Sequence, residues 1–171
     1  MTPDRLLRTA IIPAANELAV VRIADSLAAR RFMMAIALQE SRLLNRRQVS
    51  ADGSESGPAA SFWQFEKGNE KSRAGCYGVL THRTVAPHMR RACSDFNIEP
   101  NALALWEAMR YQDIVAACAA RLLIYTLPGA LPETAAQGWA QYIEAWRPGK
   151  PHKETWSGHW ATASKTVGVS A

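Results

Sequence analysis

The sequence predicts a mainly α fold: a helical bundle with at most a small β or loop element near residues 46–66. Three observations predict it. Apolar residues recur at spacings of three and four along most of the chain. Alternating apolar–polar runs of strand type are scarce. Gly, Ser, Asp and Pro cluster in one internal stretch, at 50–58. The chain has 171 residues, 48% of them hydrophobic. That length suits a single domain, 1–171, able to bury roughly 70% of its unfolded surface without a disulfide or metal staple.

Each element has its own grounds. Residues 4–29 are rich in Ala and Leu, with Pro13 early and Asn16 as a candidate cap. They predict one kinked helix or two short ones, an N-terminal segment ahead of a core at 30–165. Phe32, Ala35, Ile36, Gln39 and Leu43 share one helical stripe, so a helix is expected from Phe32 to about Leu44. Residues 45–60 read as a loop or short irregular hairpin. Residues 78–96 read as helical after Thr81, with Pro87 a break. Asn101 is a cap for helical residues that continue to Tyr125 as one helix or two. Pro128-Gly129 and Pro132 end that run. Helices are expected again over 133–146 and, shorter, over 155–165.

Charge and cysteine content narrow the function classes. Twenty Lys+Arg against fifteen Asp+Glu leave a net charge of +5, and the pI is near 9.4. An anionic partner is favoured in general: nucleic acid, an acidic membrane surface or an anionic wall polymer. Helix-turn-helix, zinc-finger and basic–aromatic signals are missing, which argues against nucleic acid. The apolar run at 114–125 is short and interrupted by Arg121, so membrane insertion is not expected. The N-terminus, broken by Asp4, Arg5 and Arg8, does not read as a secretory signal. Cys76, Cys93 and Cys118 are odd in number and lack a Cys-x-x-Cys; free thiols are expected, with a Cys76–Cys93 bridge left open. The four histidines show no metal-ligand spacing, and neither metal nor cofactor is expected. The pairs Arg30-Arg31, Arg46-Arg47 and Arg90-Arg91 read as solvated faces.

Chemistry concentrates at Gln39-Glu40-Ser41, followed by Gly57-Pro58-Ala59-Ala60-Ser61-Phe62-Trp63-Gln64-Phe65-Glu66. Ile36, Glu40 and Leu43 fall on nearly one helical face. A carboxyl group among apolar side chains resists ionisation, so its pKa rises. The negative end of the helix dipole acts in the same direction. A glycosidic bond needs such an acid, still protonated near neutral pH, to protonate its leaving oxygen. The alternative is a solvated Glu at a helix end, which periodicity alone does not rule out.

These residues resemble the lytic transglycosylase and goose-type lysozyme superfamily. There a Glu-Ser pair ends the catalytic helix, a Gly-Leu-Met-Gln-like segment follows, and an Ala-x-x-Tyr-Asn-Ala-Gly-like motif comes later. Glu40 matches the acid and Gln64 the glutamine of the second motif. Ala140-Gln141-Tyr142 loosely matches the third. Phe62–Glu66, 78–82 and 146–152 are also similar to segments of small phage and prophage lysozyme-like proteins. Two departures stand out: Ser61 replaces a glycine, and the third motif has become Tyr142-Ile143-Glu144-Ala145.

The resemblance implies a lysozyme-like α+β fold acting on peptidoglycan glycan strands. Glu40 would be the single acid and base, forming 1,6-anhydro-muramic ends. Ser61, Phe62, Trp63, Gln64, Glu66 and Tyr142 would be substrate-binding residues. For Phe62 and Trp63 the residues alone leave two readings open, cleft wall or core anchor. Trp139, Tyr142 and Trp146 share one helical face and read as packed core in preference to a sugar platform. Two alternatives accompany the enzyme reading: a hydrolytic lysozyme using Asp52, Glu55 or Glu66 as second acid, and an inactive wall-binding or virion protein. The resemblance also implies synthesis in a bacterial cytoplasm and action on the wall, from a virion or through a pore, alongside other virion proteins.

Overall fold

The computed structural model describes residues 1–50 and 52–169; Ala51, inside the expected loop, and Ser170 and Ala171 lie outside the described residues. The fold is mainly helical, with one two-stranded antiparallel sheet. Chain order is α1 (Pro3–Leu6), a π-type turn (Leu7–Ile11), α2 (Ile12–Ala19), α3 (Leu27–Ser41), β1 (Ala59–Ala60) and β2 (Phe65–Glu66). Then come α4 (Gly75–Thr81), α5 (Ala86–Asp95), α6 (Ala102–Ala108), α7 (Asp113–Tyr125), α8 (Ala135–Trp146) and α9 (Lys153–Val167).

The N-terminal segment is one continuous helical run whose middle turn is widened. Pro13 has no N–H to give the carbonyl four residues back. The wide turn shifts the register, and Ile12 N–H donates to Leu7 O instead. This run ends at Ala19, not at 29. Ser26 caps the next helix, its Oγ accepting from Ala29 N–H at 3.1 Å. Helix α3 therefore begins at Leu27, five residues ahead of the expected Phe32.

Helix α7 is apolar on nearly all sides, with 115–122 buried throughout. Such a helix belongs in the centre of a molecule. Its one cation, Arg121, donates to Ala24 O at 3.1 Å. A helix follows Thr81 as expected: α4 stops at Thr81, and α5 opens at Ala86 with Pro87 in its first turn, where the proline starts the helix and does not break it. Proline fits there because first-turn N–H groups have no helical partner. The residues from Asn101 to Tyr125 form two helices, and Asn101 Oδ1 accepts from Ala104 N–H at 2.9 Å. Helix α8 opens on a capping box between Thr134 and Gln137. Helix α9 is longer than the expected 155–165.

The small sheet lies inside the expected 46–66 window. Ala59 pairs with Glu66 and Ala60 with Phe65, and Arg47 adds a bridge to Ala60. Gly75 closes this region against α4 at φ +58°, where a Cβ would stand 2.1 Å from Glu66 O. One continuous apolar core joins side chains from Leu6 to Ala163. The arginine pairs do not all face solvent. Arg31 is 6% exposed, donating to Pro132 O and Glu133 O and lying over the Trp160 ring. Arg46 grips Asp113 through two 2.7 Å bonds. All three cysteines are buried free thiols. No helix among the described residues is long and apolar enough to cross a membrane.

Candidate active site

Glu40 stands in the last turn of α3, behind a run of buried residues from Arg31 to Leu38. Its carboxyl is half-buried, and Tyr142 of α8 donates its phenolic O–H to Oε1 at 2.7 Å. Burial pushes the Glu40 pKa from 4.5 up to about 7, against the downward pull of that hydrogen bond. Tyr142 is pushed upward too, first by its own burial and then by Glu40, so it remains a donor. Oε2 makes no hydrogen bond among the described residues. The arrangement is a carboxyl group, half protonated near neutral pH, with one oxygen held and the other uncommitted.

An aromatic assembly holds the phenol. Tyr142 stacks on Trp156 of α9 at 5.3 Å and 15° between planes, and on Trp146 at 6.5 Å and 28°. Trp139 packs edge-on against Trp156. The helical face that carries Trp139, Tyr142 and Trp146 is thus a packing face. Trp146 Nε1–H donates to Trp63 O at 2.9 Å, which joins α8 to the loop after β1.

That loop corrects several expectations. Ser61, Phe62 and Trp63 are 0%, 1% and 0% exposed, so none presents a face to a ligand. Trp63 Nε1–H donates to Met33 O at 2.9 Å, and the Phe62 ring packs under the Arg46 guanidinium. Of the two readings of these aromatics, core anchor is the one realised. Ser61 sits at φ +69° and its Oγ accepts from Trp63 N–H at 3.2 Å. Tyr142 is 2% exposed; its hydroxyl is engaged with Glu40, so it is a support for the acid and not an open sugar contact.

Gln64 is half-buried and spends its Nε2–H on Ser61 O at 2.8 Å. Glu66 is exposed on β2. Asp52 and Glu55 are exposed, and Asp52 Oδ1 accepts from the N–H and Oγ–H of Ser54. Those bonds hold the Asp52 carboxyl below its usual pKa. Among the described residues no group of three or more His, Cys, Asp or Glu could hold a metal ion.

Backbone strain gathers at the ends of these elements. Arg42 and Leu43, directly after α3, have φ of +50° and +57°. Gln64 and Arg147, the latter directly after α8, lie at +50° and +48°. Each non-glycine residue in this region costs about 1 kcal/mol or more. An open groove of about 380 Å³ lies away from this centre, bordered by Arg5, Arg46, Tyr111, Gln112 and Asp113; Glu40 does not line it.

Sequence reasoning singled out Glu40 and Tyr142, without their mutual hydrogen bond, and missed the groups that meet Gln39. The Gln39 side chain touches His152, Thr155 and His159, more than a hundred residues away. No local pattern announces a contact at that separation. Compared with protein-family models, curated proteins and solved structures, the chain matches none of them.

Proposed function

We propose that the protein is a peptidoglycan lytic transglycosylase cleaving the β-1,4 bond between N-acetylmuramic acid and N-acetylglucosamine. One observation carries the reading: the Glu40 carboxyl, with a pKa raised to about 7 by burial and one oxygen clamped by Tyr142. The resemblance of Gln39-Glu40-Ser41 and the Trp63-Gln64 segment to the superfamily supports it.

In this reading Glu40 gives its proton to the glycosidic oxygen through Oε2. The bond from muramic C1 to that oxygen breaks, and positive charge develops on C1. The muramic C6 hydroxyl attacks C1 and forms the 1,6-anhydro bridge. Its proton passes to the Glu40 carboxylate, which restores the acid. An internal nucleophile needs no second carboxylate, and its prior positioning is worth up to roughly 7–11 kcal/mol of barrier. The exposed settings of Asp52, Glu55 and Glu66 weigh against a hydrolytic second acid. Delivery to the wall, from a virion or through a pore, belongs to the same proposal.

The test is digestion of purified peptidoglycan followed by mass spectrometry of the soluble fragments. Anhydro ends are expected, and reducing muramic ends would replace this mechanism with hydrolysis. Glu40→Gln should lower release by roughly 10²–10⁴-fold. The rate should fall as pH rises through about 7, because the first step needs the protonated acid. Binding without release, where a control enzyme works, would overturn catalysis and leave a wall-binding protein.

A further inference from the structure

We propose that Gln39 is a positioning residue for Glu40: its carboxamide fastens the last turn of α3 to the first turns of α9, and thereby holds the phenol that clamps the acid. The proposal rests on the reading that Glu40 is the working acid.

Gln39 and Glu40 are consecutive on a helix, so their side chains diverge by about 100°. Glu40 meets α8 and Gln39 meets α9. Gln39 Nε2–H donates to His152 O at 3.0 Å, while Oε1 faces Thr155 Oγ1 at 3.1 Å and His159 Nδ1 at 3.0 Å. The amide has one consistent orientation, since its N–H end meets a carbonyl. The imidazole must then carry its hydrogen on Nδ1. Thr155 and His159 are one turn apart, on the α9 face turned to α3.

Trp156 follows Thr155 directly. Its Nε1–H donates to Ala135 O at 2.7 Å, and its ring stacks on Tyr142. A closed circuit results: Gln39, the first turns of α9, Trp156, Tyr142, Glu40 and back to Gln39 along the α3 backbone. Freeing Gln39 loosens α9 at the point where it carries the platform for the phenol. Water then reaches the carboxyl that burial had kept neutral. Of the ionisable groups at this turn, Tyr142 acts on Glu40, whereas Arg42 acts on His159, whose pKa burial and that guanidinium both lower.

The experiment uses the full chain and two variants, Gln39→Met, which keeps the volume without the hydrogen bonds, and Thr155→Val, which removes the Thr155 Oγ1 bonds to Gln39 Oε1 and His152 O. Two readouts are taken: kcat and KM on peptidoglycan fragments across pH, and the ¹³C NMR titration of the Glu40 carboxyl. Gln39→Met should lower kcat by about 10–100-fold with KM nearly unchanged. The NMR titration of Glu40 and the falling limb of the pH profile should move down together by about one unit. Thr155→Val should move both the same way by less, and it decides the matter if Gln39→Met does not fold. A Glu40 titration unmoved in the folded variants overturns the proposal, even where stability or activity has dropped. If the wild type releases no fragments, the transglycosylase reading fails, and the titration still decides whether Gln39 governs the state of Glu40.

Discussion

Glu40 illustrates what one buried acid costs a fold. Its pKa is raised above the unfolded value, so the folded state binds the proton more tightly. The stability associated with that proton is fully present below about pH 4.5 and is lost as pH rises through about 7. The difference corresponds to ~3 kcal/mol in the ionised form. Glu40→Gln keeps an acceptor for Tyr142 and cannot ionise. It should therefore unfold at higher denaturant than wild type at pH 8, and at the same concentration at pH 4. Equal midpoints at both pH values would show that Glu40 titrates normally. Ser61 allows a second test at this scale. It holds a left-handed backbone and accepts a hydrogen bond from Trp63 N–H. Ser61→Ala loses the bond and keeps the strain, so urea melts should show a loss of about 1–2 kcal/mol. Ser61→Gly loses both, and its midpoint should lie near the wild type.

At the scale of elements, the centre is a junction of α3, α8 and α9, and close approach sets its tolerance. A Cβ on Gly138 of α8 would stand 2.4 Å from Cζ3 of Trp160, a side chain that is 2% exposed. Gly138→Ala would gain helix propensity in isolation, but here it should destabilise by about 1–3 kcal/mol through overpacking. Chemical denaturation measures it, and an unchanged midpoint would mean that α8 can move away from α9. The helices themselves were legible where local chemistry is strong. Asn101 declared its cap, and the 46–66 window contained the hairpin. Boundaries failed where a local device was silent in the pattern. The Ser26 cap looked like one more polar residue between two Ala-rich stretches. The widened turn before Pro13 kept continuous a helix that proline alone would have broken.

Across the whole molecule, the candidate site was legible in Glu40 and in the presence of Tyr142, and illegible in its supports. Glu40 and Tyr142 sit in segments with recognisable patterns. Gln39 meets α9 only because residues 113 to 120 places further along the chain fold back onto α3. Phe62 and Trp63 show the reverse problem: an aromatic pair beside a candidate motif reads alike whether it faces solvent or core, and burial alone decides.

The three cysteines give the interior a chemical reporter. Burial raises each thiol well above its ordinary pKa, to about 11 for Cys93 and further for Cys76 and Cys118. A thiol that stays protonated behind packed helices is a poor nucleophile. A maleimide added to the native protein should therefore label none of the three within the time that labels a denatured sample completely, as mass spectrometry would show. Labelling then becomes a stopwatch for rare excursions in which α4, α5 or α7 comes apart. It would rank every variant above by how often these three helices open, with no need for a substrate.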